Sequence, residues 1–238
     1  MRLDKLLEET KTGSRNQVKK LIRAQSVCID GHPAQSGRQN VDPGLQTITV
    51  HGREIDGVPH AYYLLNKPSG VVCARSDAQH QTVIDLIADR PKPDGLYPVG
   101  RLDRDTKGLV LITNNGPLGF RMLHPKHHVT KTYKVTVNGF LGADAPCFFN
   151  NGIVFPDGTS CKPAQLVLHQ VSDQCSQAEV TLVEGKFHQV KKMFLTYGVK
   201  VTALERVAFA GLELGDLKVG DYRQLTTAEK NIIRSYLT

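Results

Sequence analysis

The chain has 238 residues, and its 30 Lys and Arg outnumber its 23 Asp and Glu, so the formal net charge is +7. A hydrophobic fraction of 40% argues against wholesale disorder and allows either one large domain or a small domain plus a medium one. No run approaches the roughly 18 apolar residues of a membrane span, and the first residues lack the apolar core of a signal peptide. We therefore expect a cytoplasmic protein without a membrane partner, whose positive charge suits a polyanion but does not by itself identify one.

The cysteines indicate neither a metal site nor a disulfide framework. Their number is odd, they are widely spread, and none forms a CxxC or Cys/His cluster. The five are Cys28, Cys73, Cys147, Cys161 and Cys175. This usage is typical of a reducing compartment.

The first fifty residues predict two short helices followed by short strands. MRLDKLLEET places three leucines at helical spacing, and Ser14 with Gln17 has the pattern of a capping box that opens a second helix. Val18, Leu21 and Ile22 give this second helix an apolar stripe. The alternating segments SVCID and LQTITV then predict two strands.

The second helix is strongly basic, with five Lys and Arg and no acid between Thr10 and Ile29. Arg15, Lys19 and Arg23 are four residues apart and share one face of the helix, where like charges repel. The helix would therefore gain from an anionic partner. A solvated basic face is the alternative.

Met1–Val50 resembles the S4 RNA-binding domain, which has two short helices, the second of them basic, and then a strand ending in the pattern of SVCIDG. The resemblance implies that Arg15, Lys19, Lys20 and Arg23 contact RNA phosphates, which supply affinity rather than base selection. We place this small N-terminal S4 domain, of the αL type, at residues 1–57. The polar segment HGREIDGVPH is expected to act as a linker.

Residues 58–238 predict a second domain in which strands outnumber helices. AYYLLNKPSGVVCA reads as strand, turn and strand, and LYPVG, LVLIT, TKTYKVTV, AQLVLHQV and AEVTLVEG as further strands. TVIDLIADR, GPLGFRMLH and HQVKKMFLTYG are predicted helices. The pattern favours an α+β fold with a mixed, mostly antiparallel sheet and flanking helices. Five side chains are expected in its core: Phe148, Phe149, Met193, Phe194 and Leu195.

The segment GRLDRDTKG, which Gly100 and Gly108 bracket, has a density of charge that is unusual directly before a buried strand. Asp103 and Asp105 could share a divalent cation, but Arg101 would oppose the metal. Alternatively, one carboxylate is a nucleophile or general base held by neighbouring cations. A structural Asp–Arg pair in a turn is the third possibility.

The longer segment VGRLDRDTKGLVLITNNG resembles the signature loop of the RsuA-type pseudouridine synthases, in which the aspartate of GRLD is catalytic. The resemblance implies that this residue is Asp103. KTYKV supplies Tyr133 to pack against the target base, and EGKFHQVKKMF supplies Lys191 to pair with the carboxylate. LLNKPSGVV resembles the opening strand and turn of the same catalytic domain, so that with the S4 unit the resemblance covers nearly the whole chain.

The resemblance implies the pseudouridine synthase fold, an isomerase of ribosomal RNA, and no cofactor or metal. A stacked uridine must be flipped out before reaction. Arg101 is expected to fill the vacated stack or grip a phosphate, and Arg104 to face RNA. His188 could contact RNA, orient Lys191 or cap the helix, while Lys192 is either a phosphate contact or a surface lysine. Asp105 is expected to shape the loop through backbone hydrogen bonds.

Three alternatives concern the function itself. The short C-terminus resembles that of the small-subunit enzymes of this family more than the basic tails of the large-subunit ones. This resemblance implies small-subunit (16S) rather than large-subunit (23S) rRNA as the substrate, within a ribosomal precursor. From a different class, the chain could be a non-catalytic S4-containing factor of ribosome assembly, or a phosphodiesterase with a metal held by both aspartates. A site built within one chain suggests a monomer.

Overall fold

A computed structural model describes residues 1–89 and 91–237, so that Arg90 and Thr238 lie outside the described residues. The N-terminal unit consists of two helices and four short strands. They are α1 (Leu3–Glu9), α2 (Arg15–Arg23), β1 (Val27–Ile29), β2 (His32–Pro33), β3 (Ile48–Val50) and β4 (Arg53–Glu54). The strands form an antiparallel sheet in the order β2-β1-β3-β4.

The predicted local signals of this unit are present. The leucines of α1 and Val18 of α2 are buried in one small core, and the backbone N–H of Ser14 donates to Oε1 of Gln17 at 2.8 Å. The expected linker differs in part, because Arg53 and Glu54 pair with β3 and extend the small sheet. A tight turn at His51 and Gly52 connects β3 to β4, and this second arm of the hairpin, two residues long, is too short to predict from sequence.

The larger unit consists of a second sheet with flanking helices. Its strands are β5 (Tyr62–Lys67), β6 (Tyr97–Val99), β7 (Lys107–Thr113), β8 (Lys131–Val137), β9 (Gln165–Gln170), β10 (Ser176–Leu182), β11 (Val201–Phe209), β12 (Leu212–Glu213) and β13 (Tyr222–Gln224). Its helices are α3 (Gly116–Leu123), α4 (Ala145–Asn150), α5 (Gln189–Tyr197) and α6 (Thr227–Arg234), with a 3₁₀ turn at Pro125–His127.

The main path of this sheet runs β13-β5-β7-β11-β8-β10-β9, with β6 paired to β7 and β12 to β11. Among the described strands, the pairing of β7 with β11 is parallel and the others are antiparallel, which confirms the predicted α+β class. Alternate residues of β5 and β7 contribute to two hydrophobic cores, one on each face of the sheet. The loop before β7 therefore emerges at the centre of the sheet.

The parallel contact depends on a glycine. Gly108 has φ +106°, and a Cβ at this position would lie 2.3 Å from the carbonyl oxygen of Arg206 on β11. No side chain fits at that distance, so the second glycine of GRLDRDTKG lets two backbones meet where the two halves of the sheet join.

Three local predictions of this domain are wrong. The segment after the Pro–Gly turn forms only a bridge between Val72 and Thr82 instead of a strand. The segment TVIDLIADR is a turn instead of a helix over its described residues, and the nearby prolines, Pro91 first, prevent a helix from continuing. Leu195 is 63% exposed, whereas Met193, Phe194 and Phe149 are fully buried as expected and Phe148 packs against their core.

A buried polar network joins the two units. Asp42, which is fully buried, accepts hydrogen bonds from the His60 ring at 2.9 Å, from Asn115 Nδ2 at 3.0 Å, from the Gly44 N–H at 2.8 Å and from the Tyr62 hydroxyl. Tyr62 belongs to β5 and Asn115 is the N-cap of α3, so one carboxylate of the N-terminal unit binds two elements of the larger unit.

Over the described residues, no helix has the length and apolar character needed to cross a bilayer.

Candidate active site

A buried lysine binds the backbone of the loop before β7 on the inner side of that loop. Lys67, fully buried at the end of β5, donates from Nζ to the carbonyl oxygens of Pro68, Arg104 and Thr106 at 2.9, 3.1 and 2.7 Å. The Leu102 N–H donates to the buried thiol of Cys73 at 3.3 Å. Burial lowers the pKa of Lys67, and three carbonyl acceptors compensate the desolvated ammonium group. The loop is therefore a rigid support for the side chains on its outer surface.

Asp103 lies on that outer surface, and two groups from the start of α5 face its carboxylate. Lys191 Nζ is 3.3 Å from Oδ2, and His188 Nε2 is 3.6 Å from Oδ1. The Asp103 side chain is 28% exposed, so it is partly withdrawn from water but still accessible. The Asp103–Lys191 pair expected from the resemblance is thus present in the geometry.

Asp105 has a different place from the one expected. It does not only shape the loop, because its carboxylate receives two hydrogen bonds from Lys191 Nζ at 2.7 and 2.8 Å. The hydrogen bond from Lys191 lowers the pKa of Asp105 more than burial raises it. Burial alone would lower the pKa of Lys191, but the hydrogen bond to Asp105 and the charges of both aspartates outweigh it and raise that pKa.

Lys191 thus bridges two carboxylates, so an ammonium group occupies the position that a shared divalent cation would need. Within residues 1–89 and 91–237, no group of three or more His, Cys, Asp or Glu side chains has a metal-binding arrangement.

Hydrogen bonds of the Gln189 side chain position the start of α5. Gln189 Nε2 donates to Glu184 at 2.7 Å, and Gln189 Oε1 accepts from the Lys186 N–H at 2.8 Å. His188 has a left-handed backbone (φ 53°) and stands at the N-cap position, but its side chain makes no capping hydrogen bond. Its ring faces Asp103 and stacks on Phe187 with 3.9 Å between centroids, so the capping alternative is wrong.

A cavity of about 470 Å³ opens beside these groups. Asp103, Arg101, Lys191 and His188 line it, and so does Tyr133, which is buried on β8. The structure therefore brings the three predicted catalytic side chains to one cavity from three separate elements, the loop, β8 and α5. A flat aromatic ring in such a cavity offers a stacking face for a planar base.

The other predicted contacts around the site are dispersed. Arg104 is exposed, and its Nη1 lies 2.7 Å from Nε2 of the His80 ring. Lys192 Nζ contacts Asp157 at 3.2 Å and lies 5.4 Å from the Phe155 ring, so this lysine is already engaged at the protein surface.

The basic helix lines a separate groove of about 840 Å³ in the N-terminal unit. Arg15, Lys19 and Arg23 line it, whereas Lys20 is exposed outside its lining. Acidic residues of α1 also border the groove, and Arg15 Nε is 3.2 Å from Glu8 Oε1. The anionic partner expected for this face would compete with that exposed ion pair, which is weak in water.

Sequence reasoning missed three residues of this region. Lys67 belongs to the segment LLNKPSGVV, and a lysine followed by Pro–Ser–Gly at the end of a buried strand is a signal that could have indicated a buried donor. Lys131 and Arg206 also line the cavity. No local signal marks Arg206, because the exposure of a side chain on a strand depends on what packs over it.

Comparison with known proteins agrees with this geometry. Residues 61–196 match the family described as RNA pseudouridylate synthase, and residues 1–46 match the S4 domain. The chain is 38% identical to the "Uncharacterized RNA pseudouridine synthase YtzG" of Bacillus subtilis, over 98% of each chain. It is 38% identical to "Ribosomal small subunit pseudouridine synthase A" of Yersinia pestis, over 96% of each chain. The protein of the same name from Escherichia coli K12 is 36% identical, with 96% of this chain and 98% of the other covered.

Among solved structures, one described as a "Crystal structure of pseudouridylate synthase" matches with a TM-score of 0.66 and 34% identity, covering 98% of this chain and 99% of the other. The predicted resemblance and fold are therefore confirmed, and the purely RNA-binding and metal-dependent alternatives are not supported. The chain belongs to the RNA pseudouridylate synthase family, enzymes that isomerise uridine in RNA, and it carries an S4 domain at its N-terminus.

Proposed function

We propose that this protein isomerises uridine to pseudouridine in small-subunit ribosomal RNA, with Asp103 as the attacking group. The observation that carries the catalytic assignment is the carboxylate of Asp103 at a 470 Å³ cavity, 3.3 Å from Lys191. The target is supported by the curated relatives at 36–38% identity that are named for the ribosomal small subunit.

The reaction detaches uracil from the ribose and rejoins it through carbon. The C1′–N1 bond breaks, the base turns, C5 bonds to C1′, and the C5 proton is lost while N1 gains one, so nothing is consumed. Asp103 attacks the ribose or the ring and is released when the new bond forms. Lys191 orients the Asp103 carboxylate, and Asp105 holds Lys191 from the other side. Tyr133 offers the ring face on which the flipped base packs.

The RNA is held on both sides of this cavity. Arg101, exposed at its rim, fills the stack left by the flipped base or contacts the neighbouring phosphate. Arg104 and Lys192 are further surface cations near the site, and His188 contacts the RNA or Asp103.

We assign residues 1–57 to the S4 domain and 58–238 to the catalytic domain. The basic groove of the former, with Lys20 beside it, binds RNA phosphates and sets the register of the substrate.

The catalytic assignment is tested with Asp103→Asn. Because the C5 proton leaves, tritium release from RNA labelled at uridine C5 measures turnover directly. We expect Asp103→Asn to release no tritium above background while its RNA affinity stays within about threefold. Asp157→Asn is the matched control. Asp157 pairs with Lys192, the neighbour of Lys191 on α5, but neither Asp157 nor Lys192 lines the cavity. This variant should therefore react at the wild-type rate. Wild-type turnover by Asp103→Asn would refute the assignment.

The target is tested by mapping pseudouridine in both ribosomal RNAs of a strain that lacks this gene. A single site missing from small-subunit RNA, restored by the wild-type gene and not by Asp103→Asn, is the expected result. A missing site in large-subunit RNA would refute the proposed target but not the chemistry.

A further inference from the structure

Two cations form the inner floor of the cavity. Lys131 on β8 and Arg206 on β11 both line it, together with Tyr133. Arg206 is the register partner of Tyr133 across these antiparallel strands, and Lys131 is two residues before Tyr133. Directly opposed and alternate residues point to the same face of a sheet, so all three side chains lie on the face that the cavity covers. We call Lys131 and Arg206 the floor pair.

Arg206 is unusually deep for a guanidinium group. It is 1% exposed, its Nε donates to the Leu109 carbonyl at 2.8 Å, and its guanidinium carbon is 4.8 Å from the centre of the Phe209 ring. Within the described chain its Nη2 meets no hydrogen-bond acceptor, and its guanidinium group belongs to none of the ion pairs. Burying a cation without a carboxylate is costly, and an arrangement of this kind is expected where the charge has a function.

Lys131 places a second charge beside the first. Its Nζ donates to the Val129 carbonyl at 2.8 Å and lies 5.8 Å from the centre of the same Phe209 ring. Burial and the charge of Arg206 lower the pKa of Lys131 to about 8, and Glu184, in the loop after β10, acts in the opposite direction. Lys186 and Lys162 also line the cavity. Both members of the floor pair are therefore positively charged at neutral pH, and the two like charges repel each other.

Two glycines border the floor pair. Gly100 has φ +77°, and a Cβ there would lie 3.3 Å from Leu123 and 3.9 Å from Arg206 Nη1. Gly185 lies on the other side, where a Cβ would be 3.8 Å from Lys131 Cε. A side chain at either position would add bulk over one of the two cations.

We propose that the floor pair binds the carbonyl oxygens of uracil while the base is detached from the ribose and negatively charged. This inference rests on the proposed function. When the C1′–N1 bond breaks, its electron pair stays with the base and spreads over N1, O2 and O4. With Asp103 bonded to C1′, the electron pair of the base then forms the C5–C1′ bond, and the Asp103 carboxylate that C1′ releases carries the negative charge away. C5 loses its proton and N1 gains one, which leaves the net charge of the base at zero. Fixed cations in a site with little water stabilise such transient charge more than they stabilise the neutral substrate.

The position of the floor pair favours the base over a phosphate as its ligand. Arg206 adjoins Tyr133, on which the base packs, and is almost inaccessible from the surface. The RNA phosphates remain attached to the strand at the mouth of the cavity, where the exposed Arg101 is available.

The experiment is single-turnover tritium release with saturating enzyme, combined with a separate measurement of RNA affinity. Lys131→Met and Arg206→Lys should each lower the rate constant about 100-fold to 1,000-fold, with the RNA Kd within about threefold of the wild type. Lys134→Met is the matched control, because Lys134 is on the same strand but points to the opposite face, and it should keep the wild-type rate.

The pH profile separates a role in the chemistry from a structural one. With a pKa of about 8, Lys131 loses its charge as the pH rises through this value, so the wild-type rate constant should fall above about pH 8. Lys131→Arg should move this fall to higher pH, and Lys131→Met should lack it. A packing role would move neither, and the Lys131 variants remain informative if Arg206→Lys folds poorly.

An unchanged rate constant in Lys131→Met would overturn the inference. So would a loss confined to RNA affinity with a smaller salt dependence, because that result assigns the floor pair to a phosphate. Asp103→Asn measured in parallel distinguishes the two proposals. If it keeps the wild-type rate while the floor-pair variants lose theirs, the assignment of Asp103 fails and the floor pair stands.

Discussion

The buried carboxylate that joins the two units gives the sharpest stability prediction. Asp42 accepts hydrogen bonds from His60, Tyr62 and Asn115 and from the Gly44 backbone, and it is fully buried. In Asp42→Asn, the amide N–H₂ group would face these donors, and at least one buried partner would be left without an acceptor. Such a loss costs about 1–3 kcal/mol per neutral group and about 3–5 kcal/mol when a buried charge pair is broken. We expect a loss of about 3–4 kcal/mol in the free energy of unfolding, within that range.

The same carboxylate makes the stability depend on acid. Burial alone would raise the pKa of Asp42, but the hydrogen bonds from His60 and Tyr62 outweigh it and lower the pKa to about 2, from 3.8. This difference corresponds to about 2.5 kcal/mol. Because the folded-state pKa is the lower one, this stabilisation is fully present above about pH 4 and is lost as the pH falls through about 2.

The assay is urea unfolding followed by circular dichroism between pH 7 and pH 2. The stability difference between the wild type and Asp42→Asn should be largest near pH 7 and should shrink by about 2 kcal/mol by pH 2, where Asp42 is protonated in the unfolded state and about half protonated in the folded state. Asp173→Asn is the control, because Asp173 is exposed and should change stability by less than about 0.5 kcal/mol. A difference between Asp42→Asn and wild type that does not change with pH would refute the reasoning.

Two further predictions concern Gly108, at the start of β7, and the basic groove of the N-terminal unit. Gly108→Ala should destabilise the fold by more than about 3 kcal/mol, because its Cβ would lie 2.3 Å from a neighbouring backbone. Gly158→Ala, at a similarly positive φ but with no atom within 4 Å, should cost only about 1 kcal/mol, and equal losses in thermal or urea unfolding would contradict the steric explanation. Replacing Arg15, Lys19 and Arg23 with alanine should weaken RNA binding and reduce the slope of log K against log salt by about 2–3, and an unchanged slope would mean that this face binds no phosphate.

Local patterns were sufficient for most of the strands and helices. The alternation in TKTYKVTV and the leucine spacing of MRLDKLLEET each depend on a few neighbouring residues, so the sequence predicts β8 and α1 directly. Leu195 shows the limit of hydrophobicity taken alone. It follows Met193 and Phe194 in sequence, but each step along a helix turns the side chain by about 100°, which brings Leu195 to the outer face of α5.

The resemblance indicated the loop before β7 as the candidate site, but it predicted the partners of that loop only in part. Lys191 was expected to pair with Asp103, but its shorter contact is with Asp105, 86 positions away in sequence. Which of two aspartates separated by one residue lies nearer a distant lysine depends on the path of the loop. Three carbonyl oxygens bound by the buried Lys67 ammonium help to hold that path, and no spacing rule predicts it.

The sequence by itself determined the family and the order of the two domains, because contiguous motifs carry the resemblance, and local periodicities determined the class of the fold. It also indicated Asp103 as the candidate catalytic aspartate. Only the tertiary structure decided that Lys131 and Arg206 share the cavity floor with Tyr133, and that Asp42 joins the two units. In both cases the property that matters is the burial of a charge, which is set by strands that pair across the sheet and by elements far apart in the chain.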